Sequence, residues 1–151
     1  MYLSISEEEL LMENKRIRVV YEKECFNEIS RVETNSVDFV LINAKKRKML
    51  GQSLLEELER VVRLEGFVFF YNEEDLLEDL ILHATEEDET VLTMFEEDLN
   101  IAGICFKNNR NCVIIEPNFN KFIGTRDKLK AILKGKDSFV IKTGKEPLKL
   151  F

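Results

Sequence analysis

The sequence has few cysteines, and they are not arranged for a covalent or metal framework. Three occur, Cys25, Cys105 and Cys112, an odd number that contains no C-x-x-C pair. This pattern favours neither a disulfide scaffold nor a zinc or iron–sulfur site. Because free cysteine is among the most often buried residue types, all three are expected to be reduced core residues. Cys105 and Cys112 would face each other if their segments formed a hairpin.

Glycine is also scarce, and this scarcity bears on cofactor binding. The glycines stand at positions 51, 66, 103, 124, 135 and 144, so no two provide even half of a G-x-G-x-x-G pattern. The G-x-S-x-G, P-loop and H-E-x-x-H motifs are missing as well. The sequence therefore predicts no bound cofactor, no metal site and no established catalytic constellation.

Long apolar runs are absent. No segment approaches the ~20 consecutive apolar residues of a membrane helix, and the N-terminal sequence lacks the basic-then-apolar order of a signal peptide. A cytoplasmic protein without membrane contact is the expectation. With 151 residues, of which 44% are apolar and 34% charged, the chain is expected to form one domain over residues 1–151.

The charges are unevenly distributed. The net charge of −7 argues against nucleic acid as a partner. Residues 73–98 contain twelve Asp or Glu and no Lys or Arg, whereas residues 121–151 contain nine Lys or Arg and three acidic residues. A further basic cluster, KKRK, occupies positions 45–48. Solvated faces are one interpretation; the alternatives are an electrostatic surface for a protein partner or, for KKRK, a phosphate-binding or nuclear-localisation segment.

Short apolar runs alternate with helical patterns in the first half of the chain. Strands are predicted at residues 17–22, 37–43 and 67–72, the last as a central strand. Helices are predicted from Ser6, from residue 24 with Phe26, Ile29 and Val32 on the buried face, over residues 50–62 and after a cap at Asn72.

The second half is predicted to mix both element types. Residues 90–101 follow a helical rhythm, and two apolar runs at 102–106 and 112–117 flank an Asn-rich turn, which indicates a β-hairpin. A last helix is expected from Thr125 to a cap at Gly135, followed by a strand at 138–144. The predicted fold is Rossmann-like α/β, with a mostly parallel sheet, helices on both faces and a C-terminal antiparallel hairpin or edge strand.

Several of these segments resemble class I S-adenosylmethionine methyltransferases. The segments are VDFVLIN (37–43), LLEELERVVRLEG (54–66), FVFFYN (67–72), LNIAGICF (99–106) and FVIKTGKEP (139–147). Within that family's turn before a strand, Arg60, Arg63 and Gly66 are kept, whereas Leu64 and Glu65 replace a proline and a glycine. The family's first Gly-rich βα unit is missing or degenerate here, since the 16 residues before the first predicted strand read as an acidic helix.

The candidate ligand residues are polar groups at strand ends. Asn43, Tyr71 and Asn72 follow the predicted strands 37–43 and 67–72, where open α/β sheets bind ligands. Glu22 or Glu24 could match the ribose-binding acid of the methyltransferase family. Turn, capping or exposed strand-end roles are the alternatives for all of them. His83 is expected to interact with the C-terminus of its helix.

A methyltransferase-like sheet without its cofactor loop is similar to the N-terminal domain of the anamorsin family. The resemblance implies a non-catalytic interaction domain of cytosolic iron–sulfur cluster assembly, with a diflavin reductase as partner. That family's cluster ligands lie in a separate Cys-rich segment, and three scattered cysteines cannot hold such a cluster. The alternatives are a divergent S-adenosylmethionine-dependent methyltransferase or a regulatory methyltransferase-like subunit, and an unrelated Rossmann-like domain.

Overall fold

The protein folds around one large sheet. The computed structural model describes residues 9–96, 98–134 and 140–143, and the side chains of residues 10–96 and 98–134. The strands are β1 (Glu9–Glu13), β2 (Ile17–Glu22), β3 (Phe39–Asn43), β4 (Val68–Tyr71), β5 (Thr90–Met94), β6 (Asn111–Glu116) and β7 (Val140–Thr143). The α-helices are α1 (Cys25–Ser30), α2 (Gln52–Val61), α3 (Leu77–Ala84), α4 (Asn100–Lys107) and α5 (Phe119–Leu133). Single 3₁₀ turns span Ala44–Met49 and Glu74–Leu76.

The sheet is mostly parallel. Its strands lie in the order β4-β3-β5-β6-β2-β1-β7, and the five from β4 to β2 run parallel. Strand β1 pairs antiparallel with β2 on one side and with β7 on the other. The expected Rossmann-like class is confirmed, and the expected antiparallel edge is present, formed by β7 and β1.

Helices cover both faces of the sheet. Successive side chains of a strand point to opposite faces, so Phe39 and Leu41 enter one buried cluster and Val40 and Ile42 the other. Helices α3, α4 and α5 contribute to the first cluster, and α1 and α2 to the second. Burial on both faces explains why β3 reads as a continuous apolar run. No helix within the described ranges combines the length and apolarity needed to cross a membrane.

The prediction of a helix before the first predicted strand is wrong for the residues of that segment that the structure describes. Residues 9–13 form strand β1, with Leu10 and Met12 buried on the same face. The side chain of Asn14 then closes a tight turn by accepting from the backbone N–H groups of Arg16 (3.0 Å) and Ile17 (2.7 Å). The predicted cap Ser6 lies outside the described residues.

The predictions for residues 90–106 are also wrong, whereas the strand predicted at 112–117 is confirmed as β6. Residues 90–94 form β5 rather than a helix, and all five are buried. Residues 100–107 form α4, so the segment predicted as the first arm of a hairpin is helical. Strand β6 lies parallel to β5, and parallel neighbours need a crossover connection, which α4 supplies. Cys105 on α4 and Cys112 on β6 nevertheless meet in the core, and together with Cys25 they are free and buried.

Three further expectations need correction. Strand β4 is confirmed but lies at the edge of the sheet, not at its centre. Phe26 was expected to be buried, yet it is 43% exposed, whereas Ile29 and Val32 are buried as expected. Helix α5 begins at Phe119 rather than Thr125, because the Asn118 side chain accepts from the N–H of Lys121. The expected cap Gly135 lies outside the described residues.

The turn between α2 and β4 is fixed by Arg63 and Gly66. The Arg63 guanidinium bridges the carboxylates of Asp38, at 3.2 Å, and Glu89. A Cβ at Gly66 would lie 2.8 Å from the backbone oxygen of Asp38, so only glycine fits against the start of β3. The residues of the RVVRLEG segment therefore join α2, β3 and β5 into one unit.

Candidate functional site at the carboxyl edge of the sheet

The sheet has a topological switch point between β3 and β5. From β3 the chain continues through α2 on one face, and from the neighbouring β5 it continues through α4 on the opposite face. Connections that leave adjacent strands in opposite directions open a crevice at the carboxyl ends of those strands, where open α/β sheets bind ligands. The residues that follow β3, β4 and β5 therefore define the candidate site.

Three polar side chains converge there. The Tyr71 hydroxyl, at the end of β4, donates to Oε2 of Glu96 at 3.3 Å and also interacts with the side chain of Asn43. Asn43, at the end of β3, accepts from the N–H of Lys45 at 2.9 Å. Burial and the nearby Glu96 carboxylate raise the pKa of Tyr71, so the phenol stays protonated and acts as a donor.

Glu96 holds the N-terminus of α4. Its Oε1 accepts from the backbone N–H of Asn100 at 3.0 Å and, more weakly, from that of Ile101 at 3.4 Å. The residue is only 7% exposed. Burial raises the pKa of Glu96, while the two amides and Tyr71 oppose this shift. Two of the backbone donors that this helix N-terminus would offer to an anionic ligand, those of Asn100 and Ile101, are therefore taken by a side chain of the protein itself.

The turn between β5 and α4 has an unusual backbone. Phe95 has φ 61° and Leu99 has φ 57°, both in the left-handed region that favours glycine. Leu99 is buried, and Phe95 packs against the cluster below α1 and α2. A Gly-rich loop that cradles a cofactor has its backbone bare at such positions, whereas here the positions carry the Phe95 and Leu99 side chains. The residues of this turn do not form the Gly-rich loop that S-adenosylmethionine meets in the methyltransferase family.

A second polar group lies farther along the same edge, at the ends of β2 and β6. Glu22, Glu28 and Glu116 are buried there, and Arg31 lies 3.2 Å from Glu28 and 4.0 Å from Glu22. Burial, followed by the carboxylates of Glu116, Glu22 and Glu24, raises the pKa of Cys25 to about 12. Among the described residues, no cluster of His, Cys, Asp and Glu is arranged to hold a metal ion.

The predicted site residues are thus divided between two places. Asn43 and Tyr71 meet at the switch point, and Asn43 also has the turn-capping role that was its alternative. Glu22 is separated from them by β5 and β6 in the sheet order. Asn72 lies exposed, and the residue at the cap position of the following 3₁₀ turn is Glu73. Their roles in ligand binding remain predictions.

The other two residues singled out from the sequence are Glu24 and His83. Glu24 is exposed and precedes α1 without a capping side-chain bond. His83 lies in the last turn of α3 as expected, and its Nδ1 is 2.7 Å from the backbone oxygen of Asp79.

Glu96 was missed by the sequence reasoning because residues 90–101 were assigned to a helix. The sequence nevertheless contained a signal for Glu96. Glu96 stands two positions after the end of β5, as Asn43 and Tyr71 stand at the ends of β3 and β4, and would have been selected by the same strand-end rule if β5 had been recognised.

The fold is a Rossmann-like α/β arrangement by its strand order and directions. No family model and no curated protein matches the chain. A solved structure that does match is the crystal structure of M1.HpyAVI, a DNA methyltransferase. The identity is 14% and the TM-score 0.48, over 75% of this chain and 98% of that chain. This likeness concerns the course of the chain, and no activity, substrate or cofactor follows from it.

Proposed function

We propose that this chain is a methyltransferase-like domain that acts by binding a protein partner and not by transferring methyl groups. The observation that carries the proposal is the position of Glu96. At the switch point, where a ligand would meet the N-terminus of α4, the Glu96 carboxylate already accepts from Asn100 and Ile101. The place of a bound anion is filled from within the chain.

The hydrogen bonds of Glu96 support this proposal. A carboxylate or ribose hydroxyl of a cofactor would have to displace Glu96 from Asn100, Ile101 and Tyr71, and would leave a buried carboxylate without donors. Such a displacement costs several hydrogen bonds to a charged group, each of about 1.5–3 kcal/mol. Phe95 and Leu99 have left-handed backbone conformations and carry side chains, so a cofactor cannot approach their backbone as closely as it approaches glycine.

The test is thermal unfolding with S-adenosylmethionine and S-adenosylhomocysteine titrated to millimolar concentration, checked by calorimetry. Binding to the native state must raise its stability, so no shift is expected. An active class I methyltransferase measured in the same plate shows that the cofactor is intact. A saturable shift, confirmed by calorimetric heats, would overturn the proposal.

One observation favours a divergent methyltransferase as the second candidate. Asn43 and Tyr71 converge at the switch point and present an amide and a phenol there, which are groups that orient small ligands. Under this alternative, S-adenosylmethionine binds and the Tyr71→Phe substitution weakens it, whereas Tyr21→Phe in the α5-side core does not. The absence of any cofactor binding by the wild-type chain would remove this candidate.

A role in cytosolic iron–sulfur cluster assembly is the narrower form of the first proposal. Its support is the sequence likeness to the anamorsin N-terminal domain, above all the segment at 138–147. Its test is a direct binding measurement between this chain and a diflavin reductase, with the reductase's isolated flavin domain as the competitor. A dissociation constant weaker than millimolar would remove this role but leave the broader proposal intact.

A further inference from the structure

We infer that the outer edge of β4, together with the adjoining basic turn, binds an extended acidic segment of a partner protein by adding it to the sheet. The basic turn is the 3₁₀ turn Ala44–Met49, which carries the KKRK sequence. The inference rests on the proposed function, since it specifies the partner chemistry of a non-catalytic interaction domain.

The first observation is a sheet edge that no described strand covers. Within the described ranges, β4 is the terminal strand of the sheet and pairs with β3, where the N–H of Val40 donates to the oxygen of Phe67. Backbone groups alternate between the two sides of a strand, so those of Val68 and Phe70 point away from β3. An edge of this kind is a template for a further strand.

The second observation is the apolar surface beside that edge. Phe67 and Phe69 stand on the α3 face of β4 and are 48% and 37% exposed, although Phe67 contacts the buried ring of Phe39 at a centroid distance of 5.2 Å. Such aromatic side chains would be covered by apolar residues of an added strand. Charged residues that usually protect an edge strand are missing from Val68–Tyr71 itself.

The third observation is charge on the opposite face of β4. The Arg47 guanidinium lies 4.7 Å from the centre of the Phe70 ring, which places the basic turn beside the same strand. Lys45, Lys46 and Lys48 form no ion pair within the described part of the chain. Uncompensated cations of this density attract acidic groups, and Met49, 61% exposed, adds an apolar contact.

These faces define the pattern of the partner segment. Successive side chains of a strand point to opposite faces, so an added strand would place apolar residues beside Phe67 and Phe69 and acidic residues beside the basic turn. The segment is therefore extended, with alternating apolar and acidic residues.

Two other occupants fit less well. A nucleic acid has neither the peptide backbone that pairs with a strand edge nor alternating apolar side chains to cover Phe67 and Phe69. A second copy paired antiparallel along β4 would bring both basic turns to the same face of the joined sheets, where they repel each other. Both occupants are outcomes of the test below.

The probe is a fluorescently labelled peptide of four Val-Glu repeats, followed by fluorescence anisotropy with the full chain. Two control peptides each change one property of this probe, either its alternation or its charge. One has four valines followed by four glutamates, with the same composition but no alternation. The other has four Val-Lys repeats and reverses the charge. We expect binding of the Val-Glu peptide and at least tenfold weaker binding of both controls.

Paired variants locate the site. Lys45→Glu with Lys48→Glu should weaken the Val-Glu peptide about tenfold, because two cations beside the strand become anions. Lys15→Glu with Lys130→Glu makes the same change of net charge at exposed positions away from β4 and should leave binding within about twofold. Far-ultraviolet circular dichroism and thermal unfolding establish that both pairs fold.

Several results would overturn the inference. Equal binding of the alternating and block peptides would show simple charge attraction without strand addition. Equal weakening by the two paired variants would place the site elsewhere. Concentration-dependent dimers in sedimentation that are lost in Phe69→Glu would identify a second copy as the occupant, and oligonucleotide binding lost in Lys45→Glu with Lys48→Glu would identify nucleic acid. None of these results involves S-adenosylmethionine, so they are distinguishable from failure of the proposed function.

Discussion

The Tyr71 hydroxyl donates to the Glu96 carboxylate across 3.3 Å, joining the edge strand β4 to the turn after β5 although β3 lies between the two strands. The same carboxylate caps α4. The buried Glu96 therefore connects β4, the turn after β5 and α4, and its removal should lower the stability of all three.

Glu96→Ala is expected to lower the free energy of unfolding by about 1–3 kcal/mol, because the phenol and the α4 amides lose their acceptor while remaining largely buried. Glu96→Gln keeps one acceptor oxygen and should cost less. Urea unfolding followed by circular dichroism measures both. Asp127→Ala, at an exposed position on α5, serves as the surface control and should change stability by less than about 0.5 kcal/mol.

The stability contributed by Glu96 should depend on pH in a defined direction. Burial raises the pKa of Glu96 above its ordinary value of 4.5, so the folded protein takes up this proton more readily than the unfolded chain. The contribution is then fully present below about pH 4.5 and is lost as the pH rises through the elevated value. Between pH 4.5 and 7, the urea midpoint of the wild type should fall relative to that of Glu96→Gln as the pH rises. A constant difference between the two midpoints contradicts a raised pKa of Glu96.

Arg63→Met is expected to destabilise the fold by about 1–2 kcal/mol, because Asp38 and Glu89 lose the cation between them. Asp38 also accepts from the N–H of Thr90 at 2.7 Å, so its charge is held close to β5. The control is Arg126→Met, which breaks an exposed 3.9 Å pair and should be nearly neutral. High salt should reduce the cost of Arg63→Met only in part, since the pair is half-buried.

Gly66→Ala and Gly124→Ala should change the free energy of unfolding in opposite directions. The new methyl group at position 66 meets the Asp38 backbone oxygen at 2.8 Å and should cost about 1–3 kcal/mol, through overpacking against a rigid strand. At position 124, within α5, nothing lies within 4 Å, and alanine should stabilise the helix by about 0.5–1 kcal/mol. Thermal unfolding of the two variants tests the pair; stabilisation by Gly66→Ala would disprove the close approach.

The three thiols should be slow to react in the native protein. Burial and neighbouring carboxylates raise the pKa of Cys25 to about 12, and the hydrogen bond between Cys112 and Cys105, together with burial, raises that of Cys112. Thiolates are the reactive form, so Ellman's reagent at pH 8 should label the folded chain far more slowly than the chain in urea, by at least about a hundredfold. Rapid native labelling of one thiol would show local opening around it.

The parts of the fold that were predictable are those whose apolar pattern admits one interpretation. Strands β2, β3 and β4 follow from short runs rich in β-branched and aromatic residues, and β7 from a similar run near the end. Strand β5 did not follow, because TVLTM has no alternation and Leu92, Phe95 and Leu99 happen to stand at helical spacing. Burial on both faces removes the period that distinguishes a strand from a helix.

The remaining errors come from information that is not local. The segment at 102–106 is rich in apolar residues in either conformation, and only the parallel pairing of β6 with β5 requires a helix between them. The edge position of β4 is likewise set by sheet order. For the site, the strand-end rule found Asn43 and Tyr71, but Glu96 could not be placed without β5.

The position of β1 has a consequence for how the chain acquires its structure. Met12 pairs with Ile141, so β7 joins the sheet through a strand formed almost 130 positions earlier. Within the described residues, β7 pairs with β1 alone. During synthesis β1 therefore cannot form this pairing until residues 140–143 have left the ribosome. Among the strand pairings of the described residues, the β1–β7 pairing should form last and should be lost when β7 is removed.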